Sequence, residues 1–239
     1  MRRIAIFSDI HGNIYALQDI IQNLKKEKVD EVFCLGDVIG IGPNSKECLN
    51  LIKENNIRLL LGNHEVYFLN DFKENEIFMA GSRHIEHHKW IAKSLDNSDR
   101  EFLKNCSLDK VIKDNGVEIR LNHFFLKENI KNGEYPFWEV DLRNPENRED
   151  SRINSNIEYN FFGHIHKRNF FEKKGKKYYC VGSSGCVKND KTFYTIISIK
   201  REEILVEVKE IVFDRVKFDN SMKLMNYPEK EEIYNRFFS

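Results

Sequence analysis

The strongest constraint on this chain is where its short apolar runs stop. Ile4-Ala5-Ile6-Phe7 runs straight into Ser8-Asp9-Ile10-His11. Val32-Phe33-Cys34-Leu35 runs into Gly36-Asp37, and Ile57–Leu61 into Gly62-Asn63-His64-Glu65. Val117–Leu121 is followed by Asn122-His123, and Tyr159–Phe162 by Gly163-His164-Ile165-His166. Short continuous apolar runs read as strands, several of them buried on both faces. Each run then presents an oxygen or nitrogen donor at its carboxyl end, the rim where open α/β sheets gather ligands. Residues two apart share a face of extended backbone, so Asp9 with His11, and His164 with His166, aim at common points. A fold that satisfies all the runs together must bring these ends to one place.

The pattern between the runs sets the architecture. Ile14, Leu17, Ile20, Ile21 and Leu24 recur at helical spacing over residues 14–27. A second helix is predicted from about Ser45, capped by Ser45 or Asn44 with Glu47 in its first turn. Strand–helix–strand–helix–strand order predicts a mostly parallel sheet with helices packed on it. Residues 64–105 read as helical, with Phe68, Leu69, Phe72, Ile77, Phe78, Trp90, Ile91, Leu95 and Phe102 as core candidates. The remainder reads as short strands, antiparallel in large part, separated by turns such as Asp114-Asn115-Gly116. We expect an α/β chain (α+β mixed) in which two sheets pack face to face with helices outside. It forms one domain over residues 1–239, with a polar, lid-like insertion at about 125–157.

Composition narrows the partners. Of 239 residues, 41% are hydrophobic, enough for a substantial core. Lys+Arg and Asp+Glu are both 38, so the chain lacks the general positive field of a nonspecific nucleic-acid binder. Five cysteines show no Cys-x-x-Cys spacing and read as reduced, mostly buried thiols. Met1-Arg2-Arg3 leads into an apolar run too short for a secretory segment, and no stretch is long enough to span a bilayer. We therefore expect a soluble, cytoplasmic protein with no membrane partner. Oligomeric state is not legible.

Seven side chains carry the chemistry: Asp9, His11, Asp37, Asn63, His123, His164 and His166. That donor set suffices for two divalent ions side by side, an arrangement used mainly to hydrolyse phosphate esters. The words Asp9-x-His11, Gly36-Asp37-x-x-Gly40, Gly62-Asn63-His64-Glu65, His123 and Gly163-His164-x-His166 resemble the calcineurin-like metallophosphoesterase superfamily. Leu35–Asn44 and Val181-Gly182-Ser183-Ser184-Gly185 look like its small bacterial and archaeal phosphodiesterase-like branch. The resemblance implies a four-layer αββα sandwich of two mixed sheets flanked by helices. It also implies that Asp9, His11 and His166 hold one ion, that Asn63, His123 and His164 hold the other, and that Asp37 bridges them. A bridging hydroxide would attack phosphorus in line. His64 would protonate the leaving oxygen or bind phosphate, with Glu65 orienting it and with Asn63 and Asn13 near the substrate. Mixed carboxylate, amide and imidazole donors suit manganese, iron, zinc, nickel or cobalt. The implied partner is a small phosphorylated substrate, nucleotides included.

Two departures from the family pattern stand out. Phe124 and Phe125 follow His123 where glycine is usual, and Gly40-Ile41-Gly42 replaces the Asp-Arg-Gly of eukaryotic phosphoprotein phosphatases. The rival readings are a protein phosphatase or nucleotide pyrophosphatase on the same metals, or a non-catalytic binding protein that keeps the fold. Other clusters read more plainly. His84, His87 and His88 are expected to form a solvated helix face in preference to a surface zinc site. Lys173, Lys174, Lys176 and Lys177 read as a hairpin tip. Phe124, Phe125, Tyr135, Phe137 and Trp138 read as the core of a lid or a base-stacking wall. Ser183-Ser184-Gly185 reads as a tight turn near the metals.

Overall fold

The computed structural model describes residues 1–71, 84–124, 156–173 and 175–239. The insertion expected at 125–157 falls almost wholly outside the described residues, as do Phe72, Ile77, Phe78, Phe125, Tyr135, Phe137, Trp138 and Lys174.

Two five-stranded mixed sheets form the centre. The first contains β1 (Arg2–Phe7), β2 (Glu31–Cys34), β3 (Arg58–Leu59), β9 (Lys191–Lys200) and β10 (Glu203–Val212), in the order β10-β9-β1-β2-β3. Strands β1, β2 and β3 are parallel, and β9 joins β1 antiparallel. The second contains β4 (Asp109–Asp114), β5 (Val117–Asn122), β6 (Tyr159–Phe162), β7 (Asn169–Lys173) and β8 (Lys176–Cys180), in the order β4-β5-β6-β8-β7. Here β5, β6 and β8 run parallel, so the largely antiparallel reading of this half needs correction. Residues 123–158 separate β5 from β6, long enough for the crossover that a parallel pair requires.

Alternation along β1 splits the core. Ala5 and Phe7 face one apolar cluster with Leu17, Ile20, Leu49 and Ile52, the buried stripes of α1 (Ile14–Leu24) and α2 (Ser45–Glu54). Ile4 and Ile6 face the opposite cluster, with Ile119, Leu121, Phe161, Ile197 and Ile199, which fills the space between the sheets. This double burial is why Ile4-Ala5-Ile6-Phe7 contains no alternating polar residue, whereas Val117–Leu121 alternates through Glu118 and Arg120. Helix α1 stops at Leu24, earlier than the predicted 27, because Lys25-Lys26-Glu27-Lys28 offers nothing apolar to bury. Strand β3 is short because its pairing changes partner at Leu60: Leu60 N still donates to Cys34 O at 2.9 Å, but Leu61 N donates to Ser107 O at 2.9 Å.

Helices α3 (Asn63–Leu69), α4 (Ile85–Ser94) and α5 (Asn97–Lys104) follow β3. The sequence reading gave no account of α6 (Arg215–Leu224) and α7 (Lys230–Phe237). They fold back on α1 through Phe213, Phe218, Met222, Ile233 and Phe238, a cluster that also takes in Ala16, Ile41, Tyr227 and Trp90. This packing overturns the solvated face expected at His84, His87 and His88, all of which are buried. His87 lies against Trp90 and Tyr227, and His84 Nδ1 meets Glu229 Oε2 at 2.8 Å. Their ring nitrogens do not form a metal-holding group among the described residues.

One buried carboxylate ties this layer together. Asp99 is fully buried and is paired with Lys46 and Lys53 from α2 while accepting Asp96 N in the cap of α5. Burial opposes the charge, but the two lysines and the cap hold its pKa below the usual carboxylate value. A depressed folded pKa gives stability that is present above the unfolded pKa and lost as pH falls through the folded one. Asp99→Asn is expected to cost about 2 kcal/mol near neutrality. The gap to wild type should close as pH drops below the carboxylate range. Urea unfolding at several pH values measures this, and a gap independent of pH would remove the ion pairs as its cause.

Candidate functional site

The strand ends do converge. Beyond β1 and β2 the two chains keep pairing: Asp9 N donates to Gly36 O at 3.0 Å, His11 N to Asp37 O at 2.9 Å, and Gly12 N to Val38 O at 2.9 Å. This lays Asp9 and His11 alongside Asp37. From the second sheet, His164 N donates to both carboxylate oxygens of Asp9 at 3.1 Å, and from α3, His64 N donates to Asp37 Oδ1 at 3.0 Å.

Around these carboxylates the ring nitrogens fall into two groups. His11 Nε2 and His166 Nε2 are 2.9 Å apart, and they lie 3.7 and 3.3 Å from Asp9 Oδ1. Asn63 Oδ1 lies 2.8 Å from His164 Nδ1 and 3.2 Å from His123 Nε2. Asp37 Oδ2 stands between the groups, 3.6 Å from His11 Nε2 and 3.1 Å from His123 Nε2. All seven residues expected as ligands are therefore brought together.

Five of the seven, Asp9, His11, Asp37, His164 and His166, have φ between 48° and 69°, the left-handed region that L residues avoid. Each such residue costs about 1 kcal/mol or more, so the scaffold holds its donors against local preference. Two glycines make the close approach possible. A Cβ on Gly62 would come within 2.1 Å of Asp37 Oδ1, and one on Gly163 within 2.5 Å of Asp9 Oδ2.

The arrangement fits a cation. His11 Nδ1 faces Ile39 O at 3.3 Å and His123 Nδ1 faces Leu35 O at 3.0 Å. A carbonyl only accepts, so both Nδ1 atoms carry the proton and both Nε2 lone pairs point inward. Outer-atom hydrogen bonds of this kind orient metal-ligating imidazoles. Inward lone pairs then confront the carboxylates of Asp9 and Asp37, acceptor against acceptor, unless a positive charge sits between them. The polypeptide alone can meet this need only with protons. Burial opposes charge on His123, yet Asp37 and Asp9 push its pKa up to about 9. Burial likewise opposes the charge on Asp9, yet His123, His11 and His166 hold its pKa well below the usual carboxylate range. Ligand atoms of Asp37, His123 and His164, and of His11, Asp37 and His64, form two groups close enough for metal binding.

Other residues take roles the sequence did not assign. Glu65 does not orient His64. Its fully buried carboxylate accepts Asp37 N, Val38 N, Ile39 N and Gly62 N at 2.8–3.1 Å, bracing the loop that carries Asp37. Burial and the neighbouring Asp37 charge push its pKa up to about 7. In Glu65→Gln an amide N–H₂ would face backbone donors. We expect about 2–3 kcal/mol of lost stability with reduced metal retention, read by urea unfolding and elemental analysis. Wild-type values for both would remove the bracing role. Asn13 is also placed differently from the expected phosphate contact. It is buried, its Oδ1 caps α1 by accepting Ala16 N, and its Nδ2 donates to Gly185 O at 2.9 Å. The Ser183–Gly185 turn lies against the site as expected: Ser183 Oγ donates to Asp9 O at 2.7 Å and Gly185 N to the same oxygen at 3.1 Å. Cys186, read only as one thiol among five, groups with His11 and His166 as a possible ligand.

The profile of calcineurin-like phosphoesterases matches residues 2–168. An uncharacterised protein of Methanocaldococcus jannaschii is 29% identical over 143 residues, covering 60% of this chain and 51% of that protein. A symmetrical bis(5'-nucleosyl)-tetraphosphatase of Haemophilus ducreyi is 34% identical over 67 residues, 27% of this chain and 25% of that one. The chain thus spans about half the length of the first of these curated relatives and a quarter of the second. The crystal structure of a metallophosphoesterase from Sphaerobacter thermophilus superposes with a TM-score of 0.70 at 18% identity, covering 99% of this chain and 98% of that one, a likeness of fold.

Proposed function

This chain belongs to the calcineurin-like phosphoesterase family, and from that premise we propose that it hydrolyses phosphate esters with a pair of divalent metal ions, acting on phosphodiesters or small phosphomonoesters. The observation that carries the reading is the inward aim of the His11 and His123 Nε2 atoms at the carboxylate of Asp37, each ring fixed from behind by a backbone carbonyl. Asp9, His11 and His166 would hold one ion, Asn63, His123 and His164 the other, and Asp37 both. Bound there, such ions supply Lewis acidity toward phosphoryl oxygens and a water acidic enough to attack at neutral pH.

The chain's own residues do the rest. Burial of Asp9 and Asp37 keeps competing water from the donor set. The site opens where His166 keeps 26% of its side chain exposed, beside half-buried His164 and His64, so substrate enters past these three rings. His64 stands over the entrance, its ring 4.9 Å from that of His11. There it contacts the phosphoryl group or gives a proton to the leaving oxygen. Phe124 packs edge-on to His123 at 5.6 Å and tilted against His164 at 5.9 Å, beside residues that would hold the second ion. All five cysteines are free, which fits a reducing compartment and the proposed cytoplasmic location. Among the described residues no helix is long and apolar enough to cross a membrane.

The test is a panel of bis-aryl phosphate, aryl phosphate, dinucleotide tetraphosphate and phosphopeptide on protein loaded with one metal at a time. Chelator-sensitive turnover of an aryl ester, with the phosphopeptide slow, is expected. No turnover of any ester by protein shown by elemental analysis to be loaded would overturn the reading. A second reading, hydrolysis of dinucleotide polyphosphates, draws on the stretch similar to the Haemophilus ducreyi tetraphosphatase. Turnover of the tetraphosphate well above both aryl esters would select it.

A further inference from the structure

Of the five thiols, Cys34 and Cys48 lie in the apolar cluster under the helices, Cys106 packs against it, and Cys180 lies in the cluster outside β6 and β8. Cys186 is different. Its Sγ lies within 4.8 Å of ring nitrogens of both His11 and His166.

The backbone around it is fastened to the same two strand ends that carry the ligands. Cys186 N donates to Ser183 Oγ at 2.8 Å, and that hydroxyl donates to Asp9 O at 2.7 Å. Ser183 N donates to His166 O at 3.1 Å, and Gly185 O accepts from Asn13 Nδ2 at 2.9 Å. The thiol is therefore held by the main chain of Asp9 and His166, not by a loose loop.

We propose that Cys186 is an additional protein ligand of the ion assigned to Asp9, His11, His166 and Asp37, binding it as a thiolate and biasing that position toward thiophilic ions such as zinc or cobalt over manganese. The inference rests on the metal-pair reading above. An ion about 2.1 Å from an imidazole nitrogen and about 2.3 Å from a thiolate, at a near-tetrahedral angle, sets the two donors roughly 3.6 Å apart, so the group closes on it with a movement of about 1 Å. The thiol proton leaves to solvent as the metal–sulfur bond forms. Soft sulfur added to imidazole and carboxylate moves selectivity away from hard ions.

Cobalt(II) reports directly on sulfur. Wild type and Cys186→Ser, reduced and loaded with cobalt, are compared by near-ultraviolet absorption and elemental analysis. A thiolate-to-cobalt charge-transfer band in wild type, absent from Cys186→Ser while visible cobalt bands persist, is expected. Competition between zinc and manganese should show zinc preference falling about tenfold or more in the variant. Cobalt-loaded wild type without the band overturns the proposal however the variant folds, as does the same band in Cys186→Ser. Wild type that takes up no cobalt overturns the metal-pair reading along with it, which separates the two failures.

Discussion

Asp37→Asn is expected to lose metal and activity together, with turnover down about a thousandfold. Asp37 Oδ2 is the atom shared by the two groups of donors, 3.6 Å from His11 Nε2 and 3.1 Å from His123 Nε2, while Oδ1 accepts from His64 N. An amide of the same shape keeps one acceptor. If its oxygen stays on His64 N, its nitrogen points donors into the metal position. If it flips, those donors meet the backbone N–H of α3. Either way one of the two carboxylate charges that balance the ions is gone, and affinity at both positions falls. The contrast with Glu65→Gln is informative. That residue braces the loop from behind, so its loss acts on stability as well as on metal content, whereas Asp37→Asn should leave a cooperatively unfolding protein with an impaired site. Elemental analysis, kcat/KM and urea unfolding on one preparation decide the matter. A folded, fully loaded and active variant would remove Asp37 from the bridging position.

What was legible in the sequence follows from burial. Strands β1 and β2 and the run before Gly163-His164 are covered on both faces, so they appear as unbroken apolar runs with donors at their ends. The donors could be read because left-handed backbone and close approach leave a trace: glycine beside Asp37, Asn63 and His164. Less was legible where a surface is covered by something distant in sequence. His84, His87 and His88 read as polar because nothing local shows that Tyr227, Glu229 and the C-terminal helices will enclose them. The parallel pairing of β5 with β6 was encoded only in the length of their connection. Glu65 was misread because its partners are backbone N–H groups of residues 37–39, which carry no side-chain signature.

His64→Ala is expected to keep both metals and slow turnover about a hundredfold, most for esters with poor leaving groups. His64 follows Asn63 at the start of α3, and its main chain stays with Asp37, Nδ1 of its ring making no hydrogen bond. The ring touches His11, Tyr67 and His88, and a Cβ on Gly40 would strike its Nδ1 at 2.2 Å, so it fills a fitted slot beside the metals. In the free site burial, followed by the neighbouring His11 and His88, outweighs the pull of Asp37 and holds its pKa well below the usual imidazole value. The slot sets the ring beside the position of the leaving oxygen, where a proton on it passes to that oxygen as the bond to phosphorus breaks. That is why the penalty should scale with leaving-group basicity. A nitrophenolate needs little help, whereas an alkoxide depends on the donated proton. Equal slowing across aryl and alkyl esters, with metal content unchanged, would assign the ring to holding the phosphoryl oxygens instead. Loss of metal in the same variant would make it part of the ligand shell, as its grouping with His11 and Asp37 allows.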